Sequence, residues 1–200
     1  MTHHWPYLQK HLLMTEETNL TNHFLIAMPS LEDGNFSQSV TYICEHDENG
    51  ALGITINRPS EISLSEILSQ LRITALTAEI KNQIVLSGGP VQIDRGFILH
   101  SPAGQWDSSL KVTDNIAVTT SQDIMQAIAN NEGPEKSLIA LGYAGWGPGQ
   151  LEYEMSENTW LSCPATEDIL FNTPIEKRWT AAAMLLGIDL QLLSNQTGHA

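Results

Sequence analysis

Short apolar runs, each closed by a glycine, a proline or an Asn-Gly pair, recur along the first half of this chain and restrict it to folds built from brief strands. His23 to Met28 (HFLIAM) stops at Pro29. Ser39 to His46 (SVTYICEH) is rich in β-branched and aromatic residues, and Ala51 to Asn57 (ALGITIN) follows the turn at Asn49-Gly50. Such side chains fit a pleated, half-buried surface, and Asn-Gly accepts the positive φ angles of a short hairpin loop. The spacing predicts an antiparallel meander of three strands. Gln83 to Leu86 and Gly96 to His100 predict two more strands around a tight turn at Ser87-Gly88-Gly89-Pro90. Lys111-Val112 and Ile116 to Thr119 predict a pair around Asp114-Asn115.

Helical periods are interleaved with these runs. Ser63 and Glu66 have capping-box spacing, with Leu64, Ile67, Leu68 and Leu71 on one face. Asp123 to Asn130 predicts a helix with Ile124 and Ile128 inward. Ser137 to Tyr143 (SLIALGY) predicts a buried central strand. A glycine-rich loop, Gly145-Trp146-Gly147-Pro148-Gly149, then opens into a helix over Gln150 to Asn158, with Pro148 as its first residue. In the last helix Thr173 is the cap, Pro174 the first residue and Glu176 the partner in the box. Ile175, Trp179, Ala182 and Leu186 face inward, and Gly187 ends it.

This order predicts an α/β (α+β mixed) fold: one compact domain, with a mixed, mostly antiparallel sheet and helices packed on it. The length of 200 residues, 42% of them apolar, suits one domain with its own core. Residues 1–18 read as an appended segment in which Trp5, Leu8, Leu12 and Leu13 are apolar and Pro6 interrupts; residues 19–200 read as the domain. Met14 is an alternative start.

Nine Lys and Arg against 23 Asp and Glu leave a formal charge of −14. Phosphate backbones are bound by clustered cations, and no such cluster is visible, so direct nucleic-acid binding is not expected. The same argument disfavours an anionic membrane surface. No apolar run approaches the roughly 18 residues of a membrane span. The amino-terminal residues lack the basic start and apolar stretch of a signal peptide, so a cytoplasmic location is expected. Cys44 and Cys163 are not a CxxC pair and read as buried, reduced thiols.

The strand, glycine loop and helix of 137–158 could present backbone N–H groups to an anion. No GK[ST] follows and no GxGxxG is present, so no nucleotide cofactor is implied. Glu152 and Glu154 in the first helical turns also oppose phosphate. Two readings stand: the glycines serve tight geometry, or Trp146 forms a contact surface for a neutral or cationic partner. Ser87-Gly88-Gly89-Pro90 with Asp94-Arg95 is no GxSxG elbow and reads as a glycine hairpin beside a surface ion pair. His23, His46, Glu45, Asp47 and His100 have ligand chemistry for a divalent cation, but Glu45 and His46 fall on opposite strand faces, and no metal is expected. The His3-His4 pair lacks the further ligands of a closed site. Arg58, in Asn57-Arg58-Pro59, holds either a partner's acid or a structural salt bridge. Cys163 precedes Pro164 without a neighbouring His, so no nucleophilic relay is assigned.

Several runs together resemble the YqgE/AlgH family of bacterial proteins. They are Phe24-Leu25-Ile26-Ala27-Met28-Pro29, the stretch from Gly50 to Pro59, Gly88-Gly89-Pro90-Val91 and Arg95 to His100. Gly142 to Trp146, Gly149 to Glu152, Trp160-Leu161 and the terminal Gly198-His199-Ala200 complete them, in order from residue 19 to 200. The resemblance implies a compact α/β fold. Some members of that family carry the label of transcriptional regulator linked to alginate production. It brings no established catalytic residues, and no helix-turn-helix or basic stripe accompanies it here, so any regulation is expected to act through a partner.

The sequence therefore leads to a non-enzymatic binding or regulatory protein with no cofactor. Its candidate surface for an unknown protein or small-molecule partner comprises Asn57, Arg58, Gly88, Gly89, Arg95, His100, Gly145, Trp146, Gln150 and Glu152. The alternative is an enzyme in which Arg58, Arg95, His100 and Glu152 converge near the glycine-rich loops.

Overall fold

Alternation along the strands sends successive apolar residues to opposite faces of one sheet, and the computed structural model shows both faces covered. It describes residues 19–196, with side chains to residue 193. The expectations for residues 1–18, and the matching carboxyl-terminal residues, lie outside the described residues.

In chain order the strands are β1 (His23–Ala27), β2 (Val40–Asp47), β3 (Gly50–Thr55), β4 (Val85–Ser87), β5 (Val91–Ser101), β6 (Ser109–Lys111), β7 (Ala117–Thr119), β8 (Lys136–Trp146) and β9 (Trp160–Pro164). The helices are α1 (Leu64–Gln70), α2 (Ala78–Lys81), α3 (Gln122–Ala129), α4 (Gln150–Ser156), α5 (Arg178–Met184) and α6 (Leu190–Gln196). The sheet runs β6-β7-β5-β8-β3-β2-β1-β9, and β4 adds to β8. Its pairings are antiparallel except β4 with β8. The mostly antiparallel α/β domain read from the sequence is the fold observed.

Phe24 and Ile26 of β1, Tyr42 of β2, Ile54 of β3 and Leu99 of β5 fill one core, closed by Ala182 and Ala183 of α5. Their neighbours Leu25, Ala27 and Ile43 pack on the other face with Leu151 of α4. Ile98, Ile139 and Leu141 meet α1 and α3 there. Strands buried on both faces read as continuous apolar runs, which is why HFLIAM carries no alternation. Among the described residues no helix is long and apolar enough to cross a membrane.

The meander β1-β2-β3 forms as expected, with Asp47 opposite Gly50 across the hairpin. The capping box of Ser63 and Glu66 is made in both directions. Ile124 and Ile128 of α3 are buried. Other expectations shift. β8 continues through Gly145 and Trp146, so the glycine loop starts at Gly147. Pro148 lies outside the helix, because Gly149 at φ 73° is the cap of α4, and the helix ends at Ser156. The Thr173 box is not made: Pro174 is extended, and the Thr173 hydroxyl donates back to the Asp168 carbonyl at 3.2 Å. A turn at Ile175–Lys177 precedes α5, and Leu186 is 39% exposed rather than inward. Gly187 does end the helix, at φ 68° with the Ile188 N–H donating to the Ala183 carbonyl at 3.2 Å.

The segment Ser87 to Pro90 is not a hairpin between β4 and β5. Both strands pair with the same residues of β8: Ile139 lies opposite Val85 on one edge and opposite Ile98 on the other. The chain must therefore cross β8 between Ser87 and Val91. It does so against Gly142 and Tyr143. A Cβ on Gly142 would lie 2.5 Å from the Gly89 carbonyl oxygen and 3.0 Å from that of Val91. A Cβ on Gly89 would collide with the Tyr143 carbonyl, and one on Gly88 with the Gly142 carbonyl. Glycine is required at all three places because backbone lies on backbone. Gly142, at φ 74°, is also the β8 residue at the irregularity where the β5 register shifts between Val91 and Gly96. Before it Ile139 and Leu141 face α1 and α3; after it Ala144 and Trp146 take up that same face, so the alternation moves by one residue.

Replacing Gly142 or Gly89 by Ala is expected to cost about 2–4 kcal/mol, read as a lower urea midpoint. Gly147→Ala serves as the control. Its new methyl would meet nothing nearer than Gln150 Oε1 at 4.0 Å, and the midpoint should move by less than about 0.5 kcal/mol. Cys44 and Cys163 are free and buried, and burial pushes both thiols up. Neither is expected to react with an aromatic disulfide reagent until urea unfolds the chain, followed as thiolate release.

Candidate functional site

Trp146 ends β8 between Ala51 of β3 and the turn into α4, and the residue is 6% exposed. It meets Trp160 of β9 edge-on, with ring centroids 6.2 Å apart. Phe36 completes the cluster at 5.5 Å from Trp160 and 6.2 Å from Trp146. Phe36 sits on the loop between β1 and β2, where the Asp33 carboxylate accepts from the Asn35 and Phe36 amides. Arg58 fastens this loop by donating to the Gly34 carbonyl at 2.8 Å and the Ser37 carbonyl at 2.7 Å. The amide of Asn57 accepts from Val40 N–H and donates to the Gln38 carbonyl. Arg58 thus holds backbone carbonyls, not the carboxylate expected of a salt bridge.

One turn into α4, Glu154 lies under both indoles. Its Oε2 accepts from Trp146 Nε1 at 3.0 Å and Trp160 Nε1 at 2.8 Å, while Oε1 accepts from Gln150 Nε2 at 3.0 Å. These rings, Asp33, Gln150 and Glu154 wall a hollow of about 350 Å³. A second hollow of about 470 Å³, bordered by Glu45, Asp47 and Val91, shares Gly145 and Trp146 with the first. A third of about 460 Å³, reaching Arg95 and Phe97, shares Leu52 and Tyr143 with the second. The three adjoin as a band. A further depression of about 550 Å³ between Ile84, Lys136 and Phe171 is lined by none of the ten residues of the candidate surface.

The remaining polar candidates are separated and bonded locally. His46 is 3% exposed at its side chain. Its Nδ1 accepts from the Leu20 amide at 3.0 Å, so Nε2 carries the proton and donates to Glu152 Oε1 at 2.9 Å. The ring is neutral and ties β2 to α4. His100 is fully buried between β5 and β7: Nδ1 donates to the Pro102 carbonyl at 3.0 Å, which leaves Nε2 to accept from the Thr119 hydroxyl at 2.8 Å. Thr119 in turn accepts from Ser109 at 2.6 Å. His23 bonds the Thr21 carbonyl. Among the described residues no three His, Cys, Asp or Glu stand close enough to hold a metal ion. Arg95 pairs with Gln92 and Thr120 and lies over the Phe97 ring at 5.7 Å, not with Asp94.

Gly145, Trp146 and Gln150 are therefore brought together in one hollow, and Arg95 lies at the far end of the band. Asn57 and Arg58 stand behind it, holding the Phe36 loop. Gly88 and Gly89 belong to the chain crossing, His100 to the interior and Glu152 to His46. Arg58, Arg95, His100 and Glu152 share no bonding partner and do not converge. Sequence reasoning passed over Phe36, read Tyr143 only as part of a strand and of the family resemblance, and read Glu154 only through the helix dipole. It also passed over Arg178, which is 3% exposed and donates to the Ile56 and Thr173 carbonyls. Trp160 was visible only within the family resemblance.

Fold and site together define a small α/β protein with a curled sheet and an aromatic, acid-lined hollow at the end of its central strand. The chain belongs to the AlgH-like family, whose model (DUF179) matches residues 24–191. A UPF0301 protein of Thioalkalivibrio sulfidiphilus is 57% identical over 189 residues, covering 94% of this chain and all of the relative. One of Xanthomonas axonopodis is 52% identical over 183 residues, covering 92% and 97%. The solution structure of AlgH from Pseudomonas aeruginosa superposes with a TM-score of 0.75 at 50% identity, covering 100% of both chains. A crystal structure from Corynebacterium diphtheriae shares the fold, with a TM-score of 0.66 at 20% identity over 88% and 91% of the chains.

Burial holds the His100 imidazole below its ordinary value near 6.5, against the Pro102 carbonyl that favours the charged form. The unfolded chain then binds a proton that the folded one refuses, so this group's contribution is present above pH about 6.5 and is lost as pH falls. His100→Gln should flatten the loss of stability between neutral pH and pH about 5, measured by urea titration at each pH.

Proposed function

We propose that this chain is a non-enzymatic binding protein, with a regulatory role exercised through a protein or small-molecule partner. Its ligand surface is the band of hollows centred on Gly145 and Trp146. The observation that carries this reading is the continuity of that band, through shared Gly145 and Trp146 and then shared Leu52 and Tyr143. Concave, partly aromatic surfaces with a few fixed polar groups are the common form of ligand sites. The charge of −14 supports action through a partner rather than on DNA, and the resemblance to proteins labelled as regulators is compatible with that.

A second reading rests on the hydroxyl chain from Ser109 through Thr119 to His100, which starts at the rim of the third hollow beside Arg95. A proton leaving Ser109 has a path to an imidazole nitrogen, the arrangement an activated nucleophile needs. Stoichiometric labelling of Ser109 by a fluorophosphonate, lost in His100→Gln, would replace binding by catalysis.

Chemical-shift mapping of the folded chain against a metabolite library tests the first reading. Amide changes are expected to cluster at Tyr143, Gly145, Trp146 and Gln150 and to vanish in Gly145→Arg, which fills the hollow. Changes confined to other surfaces, or duplex DNA binding with a steep salt dependence, would overturn it.

A further inference from the structure

We propose that the hollow walled by Phe36, Trp146 and Trp160 is a site for a small organic cation bearing an alkylammonium group, with Glu154 as its counter-charge. This rests on the binding reading above and assigns a ligand class to part of that surface.

The Glu154 carboxylate has three hydrogen-bond donors, the two indole N–H groups and the Gln150 amide. All are neutral. They fix the orientation of the carboxylate and solvate it, but they leave its charge whole. The ion pairs among the described residues are Lys111 with Asp114 and Lys136 with Glu167, while Glu152 is taken up by its hydrogen bond from His46. Glu154 and Asp33 have none. No Lys, Arg or His lines the hollow, and both carboxylates do. Among the described residues neither carboxylate has a cationic partner, and Arg58, which fastens the loop from behind, is bonded to the Gly34 and Ser37 carbonyls instead.

The walls suit the same occupant. Phe36, Trp146 and Trp160 give the hollow apolar ring surface, against which the alkyl groups of such a cation can pack. Trp146 and Trp160 turn their N–H edges to Glu154, so the rings cannot rotate without breaking those bonds. Asn57 and Arg58 hold the loop that presents Phe36. About 350 Å³ is room for a small molecule, not a folded partner. An anion would meet two carboxylates. A hydrocarbon would strip water from a charge and return nothing for it. A hard metal ion needs about six oxygen ligands, more than two carboxylates supply.

The test is a two-dimensional NMR titration of the full chain, read at the indole N–H signals of Trp146 and Trp160. The probes are tetramethylammonium chloride and tert-butyl alcohol, which has the same number of heavy atoms in a tetrahedral arrangement without the charge; sodium chloride controls for ionic strength. The ion is expected to give saturable shifts of both indole signals, with the alcohol at least ~10-fold weaker. Glu154→Gln should weaken the ion at least ~10-fold. Asp33→Asn, which keeps the oxygen that accepts from Asn35 and Phe36, should weaken it ~3-fold and decides the matter if Glu154→Gln does not fold. Equal binding of ion and alcohol, or an Asp33→Asn chain that binds as the wild type does, would overturn the cation assignment and leave the binding surface standing. Unmoved indole signals with both probes would overturn it too. The wider binding reading falls only if the metabolite mapping also leaves the band untouched.

Discussion

The chain crosses its own central strand, and that crossing sets what the rest of the fold can be. β4 and β5 take opposite edges of the same residues of β8, so the link between them has to pass over the strand. Backbone can lie on backbone only where no side chain intervenes, and Gly88, Gly89 and Gly142 clear that space from both sides. The close approach is then used for bonding: the Gly88 amide donates to the Leu141 carbonyl and the Gly88 carbonyl accepts from Thr55. This stitches β3, β4 and β8 at one point, where two cores on one face and a third on the other meet.

Gly142 connects that topology to the candidate site. Had β8 kept strict alternation past Leu141, Trp146 would point to the α5 side of the sheet. The irregularity at Gly142 turns it to the face where α4 and β9 stand, so its indole reaches Glu154 beside that of Trp160. A one-residue irregularity in the centre of the sheet thereby places the aromatic wall at its end.

What was legible in the sequence follows from how local each cause is. The meander, the α1 capping box, α3 and the end of α5 at Gly187 depend on neighbours within a few residues, and each was readable from spacing. The crossing depends on residues more than fifty positions apart, so Gly88-Gly89 looked like an ordinary turn and Gly142 like one more residue of a strand. The site was half legible. Gly145, Trp146 and Gln150 drew attention because glycine and tryptophan adjoin a helix start. Phe36 and Trp160 come from loops and strands distant in sequence and carry no local mark. Arg58 stood out as scarce positive charge, yet its partners are carbonyls, which sequence cannot distinguish from carboxylates as acceptors.

Two carboxylates on α4 show how an acidic chain can keep one charge for outside use. Glu152 meets a histidine whose other nitrogen is fixed as an acceptor by the Leu20 amide, so the pair is a hydrogen bond between strand and helix rather than an ion pair. Glu154, two residues on, meets only indole and amide donors. Both are held in place without a cation, but Glu152 lies against the buried His46 while Glu154 opens on a hollow that Asp33 also borders. In a chain of net charge −14, a concave wall with fixed negative groups concentrates the potential that the whole surface generates. Such a site draws cations in and turns anions away before any contact is made. The carboxylates that argue against a phosphate loop at this strand-to-helix junction are thus the same groups that give the junction its selectivity.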